Sequence, residues 1–258
     1  NTEIWLVAVS GGEPRRLTNW PVGDESARWS PDGRTLAFLS DRPRPGTKTD
    51  DTKSGAPAGD EGKRQIWLIR PDGGEAWIAS DAKGGVSSFE WSRDGKSIAY
   101  LSREPKSEER RKKEKDKDDA WTPSSLYPWN RLWALDVPTR KATQLTSGET
   151  HVTGFSLSPD GKQAVFAAQP TPLIPDQFNS DLYLISTAGG RATPLVQRQG
   201  IATSPSWSPA GKLIAFVDGD SRLVSYGCTC HTTDLVEHKA HRAQCEQIMA
   251  TCVLGALK

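Results

Sequence analysis

Trp29-Ser30-Pro31-Asp32-Gly33-Arg34-Thr35-Leu36-Ala37-Phe38 is the stretch that decides the fold, because it occurs four times. Ungapped counterparts start at Trp91 (Trp-Ser-Arg-Asp-Gly-Lys-Ser-Ile-Ala-Tyr), Leu157 (Leu-Ser-Pro-Asp-Gly-Lys-Gln-Ala-Val-Phe) and Trp207 (Trp-Ser-Pro-Ala-Gly-Lys-Leu-Ile-Ala-Phe). Each copy reads as a turn between two strands. Proline fixes φ at the first corner, aspartate can hold nearby backbone N–H groups, and glycine takes the exit conformation. Asp32, Gly33, Asp94, Gly95, Asp160, Gly161 and Gly211 are therefore expected to be structural turn residues. A large apolar residue precedes each turn, and branched and aromatic residues suited to a packed sheet follow it.

A second hairpin accompanies the first three copies, and an extra one precedes them all. Ile4–Val9 with Gly11-Gly12, Ile66–Ile69 with Gly73-Gly74, Leu132–Val137, and Leu182–Ile185 with Gly189-Gly190 read as third strands and their turns. Gly-Gly and Asp-Gly pairs suit short hairpin loops that need positive φ. Arg16-Leu17-Thr18, Ala76–Ala79, Thr143–Thr146 and Thr193–Val196 close the units as fourth strands. Four short antiparallel strands per unit make a propeller blade. The fold class is thus all-β, a partial β-propeller of three full blades and two half-blades, the first half supplying strands three and four and the last supplying strands one and two.

The turn recurs at residues 32, 94, 160 and 210, spacings of 62, 66 and 50. A minimal four-stranded unit needs roughly 40–45 residues, so the excess is insertion. Residues 42–63, rich in Pro, Gly, Asp and Thr, and residues 103–121, with a mixed-charge run from Glu108 to Asp119, lie between second and third strands. Both are expected to leave from one rim. The charged run reads as a solvated or helical loop, since its charges nearly cancel and no aromatic residue interleaves for base stacking. Trp29, Trp91 and Trp207 share one blade position and are expected to pack between blades.

The propeller is expected over residues 1–217. In residues 218–258 the blade pattern stops, and all four Cys, the sole Met249 and three of the four His appear there. That tail reads as foreign sequence, such as a frameshift product, or as a terminal helix packed on the last blade. Cys228, Cys230, His231, His238, His241, Cys245 and Cys252 raise a zinc reading, but neither a C-x2-C nor an H-x3-5-H pair is present. No metal, cofactor-binding or catalytic residue is assigned.

The formal net charge of +1 gives no basis for a polyanionic partner, so nucleic acid is not expected. With mean hydropathy −0.59 and no apolar run near the roughly 18 residues that span a bilayer, no membrane is expected either. The first residues do not form a signal peptide, and compartment stays undetermined. Paired carboxylates such as Asp50-Asp51 and Asp118-Asp119 sit in polar loops and carry no acid–base assignment.

The Trp-Ser-Pro-Asp-Gly-Lys/Arg-x-Ile/Leu-Ala-Phe unit resembles the WD40-like repeat of TolB-type proteins and of the N-terminal propellers of prolyl oligopeptidase family serine peptidases. Tyr127–Trp133, Gln144–Glu149 and Pro172–Tyr183 make it look more like the acylaminoacyl-peptidase and dipeptidyl-peptidase branch. The resemblance implies a non-catalytic propeller that gates peptide substrates for a separate α/β-hydrolase domain, with no cofactor. Such a hydrolase would carry a G-x-S-x-G elbow and later Asp and His partners. The nearest string, Gly154-Phe155-Ser156-Leu157-Ser158, ends in Ser and falls on an expected strand, and His151 is the sole histidine before the tail. A stand-alone binding propeller of the TolB kind is the alternative.

Overall fold

The computed structural model describes residues 2–21, 23–43, 64–105, 129–219 and, within the second insertion, residues 108, 112 and 116. The described residues hold sixteen strands and a 3-10 helix, Ile174–Phe178. The three central units are four-stranded antiparallel sheets: β3 (Asp24–Trp29) to β6 (Trp77–Ile78), β7 (Val86–Trp91) to β10 (Lys141–Gln144), and β11 (His151–Leu157) to β14 (Thr193–Val196). They are flanked by two-stranded sheets, β1 (Trp5–Leu6) with β2 (Arg15–Arg16) and β15 (Ile201–Trp207) with β16 (Ile214–Gly219). The protein is an all-β partial propeller of three full blades and two half-blades. Within each full blade the strands pair in sequence order, which is the meander that short turns enforce.

Strand β16 runs to Gly219. Most of the insertions and the tail from residue 220, with its Cys and His residues, lie outside the described residues. In the charged run Glu108, Lys112 and Asp116 are helical and exposed.

The core lies between blades, not within one. Ala37, Leu39, Ile66 and Leu68 of the first blade pack against Ile98, Tyr100 and Leu135 of the second. The pattern repeats between the second and third blades, where Leu101, Leu132 and Leu145 meet Val152, Leu157 and Phe166. At the ends, Ile4 packs with Phe38 and Trp67, and Ala202 with Val165 and Leu182. Successive side chains of a strand thus face opposite seams. Both faces of such a strand are consequently covered: all five residues of β4 (Leu36–Ser40) are buried. Second and third strands behave as buried-sheet strands because a neighbouring blade covers each face.

Each blade turn follows one design. The Ser30 hydroxyl donates to Asp32 Oδ1 (2.6 Å), Asp32 Oδ1 accepts from Arg34 N (3.1 Å), and Ser30 Oγ accepts from Thr35 N (3.0 Å). Ser92/Asp94 and Ser158/Asp160 repeat the arrangement. These bonds hold all three carboxyls below the usual aspartate range, the serine hydroxyl contributing most. Gly33, Gly95, Gly161 and Gly211 sit at φ of 68–70°, the left-handed conformation that glycine adopts without strain. In the last turn Ala210 replaces the aspartate, and Ser208 Oγ accepts from both Lys212 N (3.3 Å) and Leu213 N (3.0 Å).

The blades also share a closing device. Thr18, Ser80 and Thr146, each at the end of a fourth strand, accept through their hydroxyls from Ile4 N, Ile66 N and Leu132 N at 2.8–3.0 Å. A Ser or Thr after the short fourth strand thereby satisfies a third-strand N–H that would otherwise be buried unpaired.

Candidate functional site

Antiparallel order fixes what each rim carries. Blade turns and outer hairpin turns share one rim; insertions and blade-to-blade connections share the other. The inner strands β3, β7, β11 and β15 stand side by side and are linked by bonds that cross the seams. Trp91 Nε1 donates to Arg28 O (3.3 Å), Leu157 N to Glu90 Oε2 (3.3 Å), and Trp207 N to Ser156 Oγ (3.4 Å). The turns stack as well. A Cβ on Gly95 would lie 3.5 Å from Pro31 Cδ, one on Gly161 3.4 Å from Ser92 Cβ, and one on Gly211 3.5 Å from Pro159 Cδ.

On the turn rim the inner strands of the last three units enclose an open cleft of about 260 Å³, whose lining includes Glu90, Trp91, Arg93, Ser156, Trp207 and Pro209. Burial pushes the Glu90 carboxyl above its usual range, opposed by the bond from Leu157 N. The Arg93 guanidinium crosses the cleft to donate to Pro209 O (3.3 Å). The cleft therefore offers one partly desolvated carboxylate, one guanidinium and two indoles, which suits recognition of a short polar chain.

Three of its four serines are hydrogen-bonded within the strands and turns. Ser158 Oγ is bound to Asp160 and Gln163 N, Ser208 Oγ to Leu213 N, and Ser156 Oγ to Trp207 N. Gly154-Phe155-Ser156-Leu157-Ser158 lies on β11 and the start of its turn, not at a strand-to-helix elbow. His151 opens the same strand five residues from Ser156, about 16 Å away at strand rise. His151 Nδ1 accepts from Asn130 N (3.2 Å), and burial, with help from Arg103 and Arg131, lowers its pKa to about 4. No group of three or more His, Cys, Asp or Glu that could hold a metal occurs among the described residues. The zinc reading of the tail lies outside them.

On the opposite rim each insertion is clasped where it leaves or rejoins the sheet. Arg42 pairs with buried Asp24 (2.5 Å) and lies over the rings of Trp20, Phe38 and Trp67 at 5.0–5.7 Å. Arg131 pairs with Glu104 (2.6 Å), donates to Thr150 O (2.7 Å) and lies 5.2 Å from Trp129. Sequence reading passed over both arginines, although each stands beside an insertion boundary with aromatic residues nearby in sequence.

The tryptophans divide. Trp91 and Trp207 are half-buried and serve the seams as expected, while also lining the cleft. Trp29 does not pack between blades and is 48% exposed. The half-blade before it, β1–β2, consists of outer strands, so among the described residues no inner strand stands against β3 on that side.

No family model matches the chain. An uncharacterized peptidase, YuxL, of Bacillus subtilis (strain 168) is 28% identical over 198 residues, covering 71% of this chain and 28% of that protein. Dipeptidyl-peptidase 5 of Porphyromonas endodontalis is 23% identical over 242 residues, covering 83% of this chain and 32% of that protein. Among solved structures, a putative TolB from Agrobacterium tumefaciens aligns with TM-score 0.51 and 20% identity over 83% of this chain and 66% of that one. The resemblance read from the repeat thus holds on both sides: the sequence relatives are peptidases, and a structural neighbour is a TolB propeller. The chain spans about a third of the length of the curated relatives it matches.

Proposed function

We propose that this chain is part of the non-catalytic propeller of a serine peptidase acting on peptides, and that the catalytic α/β-hydrolase domain is a separate segment of the same protein. The observation that carries this reading is the match to two peptidase relatives, over 28% and 32% of their lengths, by a stretch in which Gly154–Ser158 lies on a strand and its turn and not at a nucleophile elbow. The propeller's part is to admit and orient peptides. The axial cleft, with Glu90 and Arg93 of opposite charge and the Trp91 and Trp207 indoles, is the surface on which a peptide would be sorted.

A stand-alone binding propeller is the second reading, favoured by the larger share, 66%, of the TolB chain that is covered. Translating the encoding DNA in all three frames from codon 218 onward separates the two. Resumption of the blade pattern followed by G-x-S-x-G supports the peptidase reading. A stop after Lys258 with no such segment in any frame sinks it in favour of the binder. The purified chain is expected neither to hydrolyse peptidyl-p-nitroanilides nor to react with a fluorophosphonate.

A further inference from the structure

The blade turn is written Trp-Ser-Pro-Asp-Gly, and its first copy, Trp29–Gly33, carries it unchanged. Each later copy departs from it once. Arg93 stands at the proline position of the second, Leu157 at the tryptophan position of the third, and Ala210 at the aspartate position of the fourth. The turn itself is indifferent to them: all four glycines keep φ of 68–70°, and each glycine N donates to its serine O at 2.8–2.9 Å. The departures meet in one place instead. Arg93 and Leu157 line the axial cleft, and Ala210 follows Pro209, the cleft residue whose carbonyl Arg93 holds. The turn without a departure, the first, is also the one that does not reach the cleft.

Each departure changes what the cleft offers. The inner strands stand side by side, so an indole at position 157 would fall between Trp91 and Trp207, and the smaller leucine leaves that space open. Arg93 supplies a guanidinium that reaches over the third turn to Pro209 O (3.3 Å). Arg42 and Arg131 pair with Asp24 and Glu104, whereas Arg93 has no carboxylate partner among the described residues. Ala210 withholds one, since an aspartate there would stand one residue from the carbonyl that Arg93 holds. Glu90, the one carboxyl in the lining, is turned to Leu157 N in the seam, and Arg93 has no part in its raised pKa, which burial causes and the Leu157 N–H opposes. Trp207 Nε1, unlike Trp91 Nε1, is buried without a hydrogen-bond partner. The cleft thus holds a cation and an indole N–H in want of acceptors.

We infer that the cleft is a carboxylate site, in which Arg93 exchanges the Pro209 carbonyl for the carboxylate of a short peptide. A guanidinium favours a carboxylate over a carbonyl because both partners are charged and two parallel N–H···O bonds can form. The exchange strands nothing, for Pro209 is exposed and its carbonyl returns to water. A volume of about 260 Å³, under the roughly 300–1,000 Å³ of clefts that bury drug-sized ligands, fits a chain end or one acidic side chain. Trp91 and Trp207 give the adjoining residue an apolar wall. The inference rests on the reading of this cleft as the place where peptides are sorted, and it names the group by which they are sorted.

Three peptides titrated into the whole chain, followed by calorimetry and tryptophan fluorescence, separate the sources of the carboxylate: acetyl-trialanine with a free C-terminus, its C-terminal amide, and the same amide with glutamate as the middle residue. At least one of the two acids is expected to bind about tenfold or more tightly than the trialanine amide, and the one that does identifies the source as chain end or side chain. Arg93→Pro and Ala210→Asp only restore residues that the other turns carry. Each is therefore expected to keep or raise the melting temperature while weakening the acid at least about tenfold and leaving the amide unchanged. Equal affinity for all three peptides, or an affinity indifferent to both variants, overturns the inference and leaves the cleft a peptide surface. A melting temperature lowered by both variants with affinity unchanged makes Arg93 a strut of the rim and overturns it too. No binding of any peptide to the folded chain overturns the inference together with the sorting role of the cleft. The peptidase reading stands or falls separately, on the DNA frames, whichever of these results is found.

Discussion

Trp91 Nε1 donates to the carbonyl oxygen of Arg28 at 3.3 Å, tying the inner strand of one blade to that of the blade before it. The same residue type at the same blade position, Trp29, is 48% exposed, so position in the arc, and not residue type, sets what each indole contributes. Trp91→Ala is expected to cost about 2–3 kcal/mol, below a fully buried aromatic because Trp91 is half-buried, and Trp91→Phe about 1 kcal/mol for the lost bond. Trp29→Ala should fall within about 0.5 kcal/mol of the parent. Urea unfolding followed by fluorescence and circular dichroism checks all three, and equal costs for Trp29 and Trp91 would refute the seam account.

Gly84 is placed by contact and not by φ. A Cβ there would lie 1.4 Å from the carbonyl oxygen of Arg103, where the connection into the second blade crosses the end of its second strand. Gly84→Ala is expected to cost at least about 4 kcal/mol or to abolish soluble folding, since backbone must move. Gly33→Ala, at φ 68° in open space, should cost about 1 kcal/mol of left-handed strain alone. Comparing the two by thermal unfolding isolates the clash from the strain.

His151 makes stability fall in mild acid. Its pKa is depressed to about 4 in the folded chain against roughly 6.5 unfolded, so below the unfolded value the denatured state takes up a proton that the native state refuses. The destabilisation accumulates from about pH 6.5 down to about pH 4. His151→Asn, whose Oδ1 can accept from Asn130 N in place of Nδ1, is expected to flatten the melting temperature across that window. An unchanged profile would mean that His151 does not titrate there. The turn aspartates act lower. Their depressed pKa values add stability above the unfolded aspartate range that is lost as pH falls through the folded values, so Asp94→Asn should blunt acid unfolding below about pH 4.

How much of this was legible beforehand depends on how local the cause is. The turns could be read because serine, aspartate and glycine act on each other within six residues, and the blade count followed from counting turns. The seams could be read only as a residue type: nothing in Trp29 itself says that its neighbour is an outer half-blade. Arg42 and Arg131 escaped notice because their partners Asp24 and Glu104 lie 18 and 27 residues away, across a strand pairing or an insertion. Glu90 likewise looks like any exposed polar residue of an edge-proximal strand until the third blade's Leu157 N–H closes over it.

Glu90 lines the proposed recognition surface, and its charge and its bond can be separated by substitution. Burial raises its pKa in the folded chain, so the neutral form fits the fold better, and stability tied to that form is lost as pH rises through the folded value. Glu90→Gln keeps an acceptor for Leu157 N and removes the buried charge, so at pH 7 it is expected to raise the urea midpoint. Glu90→Ala strands that N–H in the seam and should cost about 1 kcal/mol relative to Gln. If the cleft receives the cationic end of a peptide, both variants weaken peptide binding in titration calorimetry although the Gln variant is the more stable of the two. A Gln variant that is more stable and binds as well as the parent would leave Glu90 a seam residue only, and shift recognition to Arg93 and the two indoles.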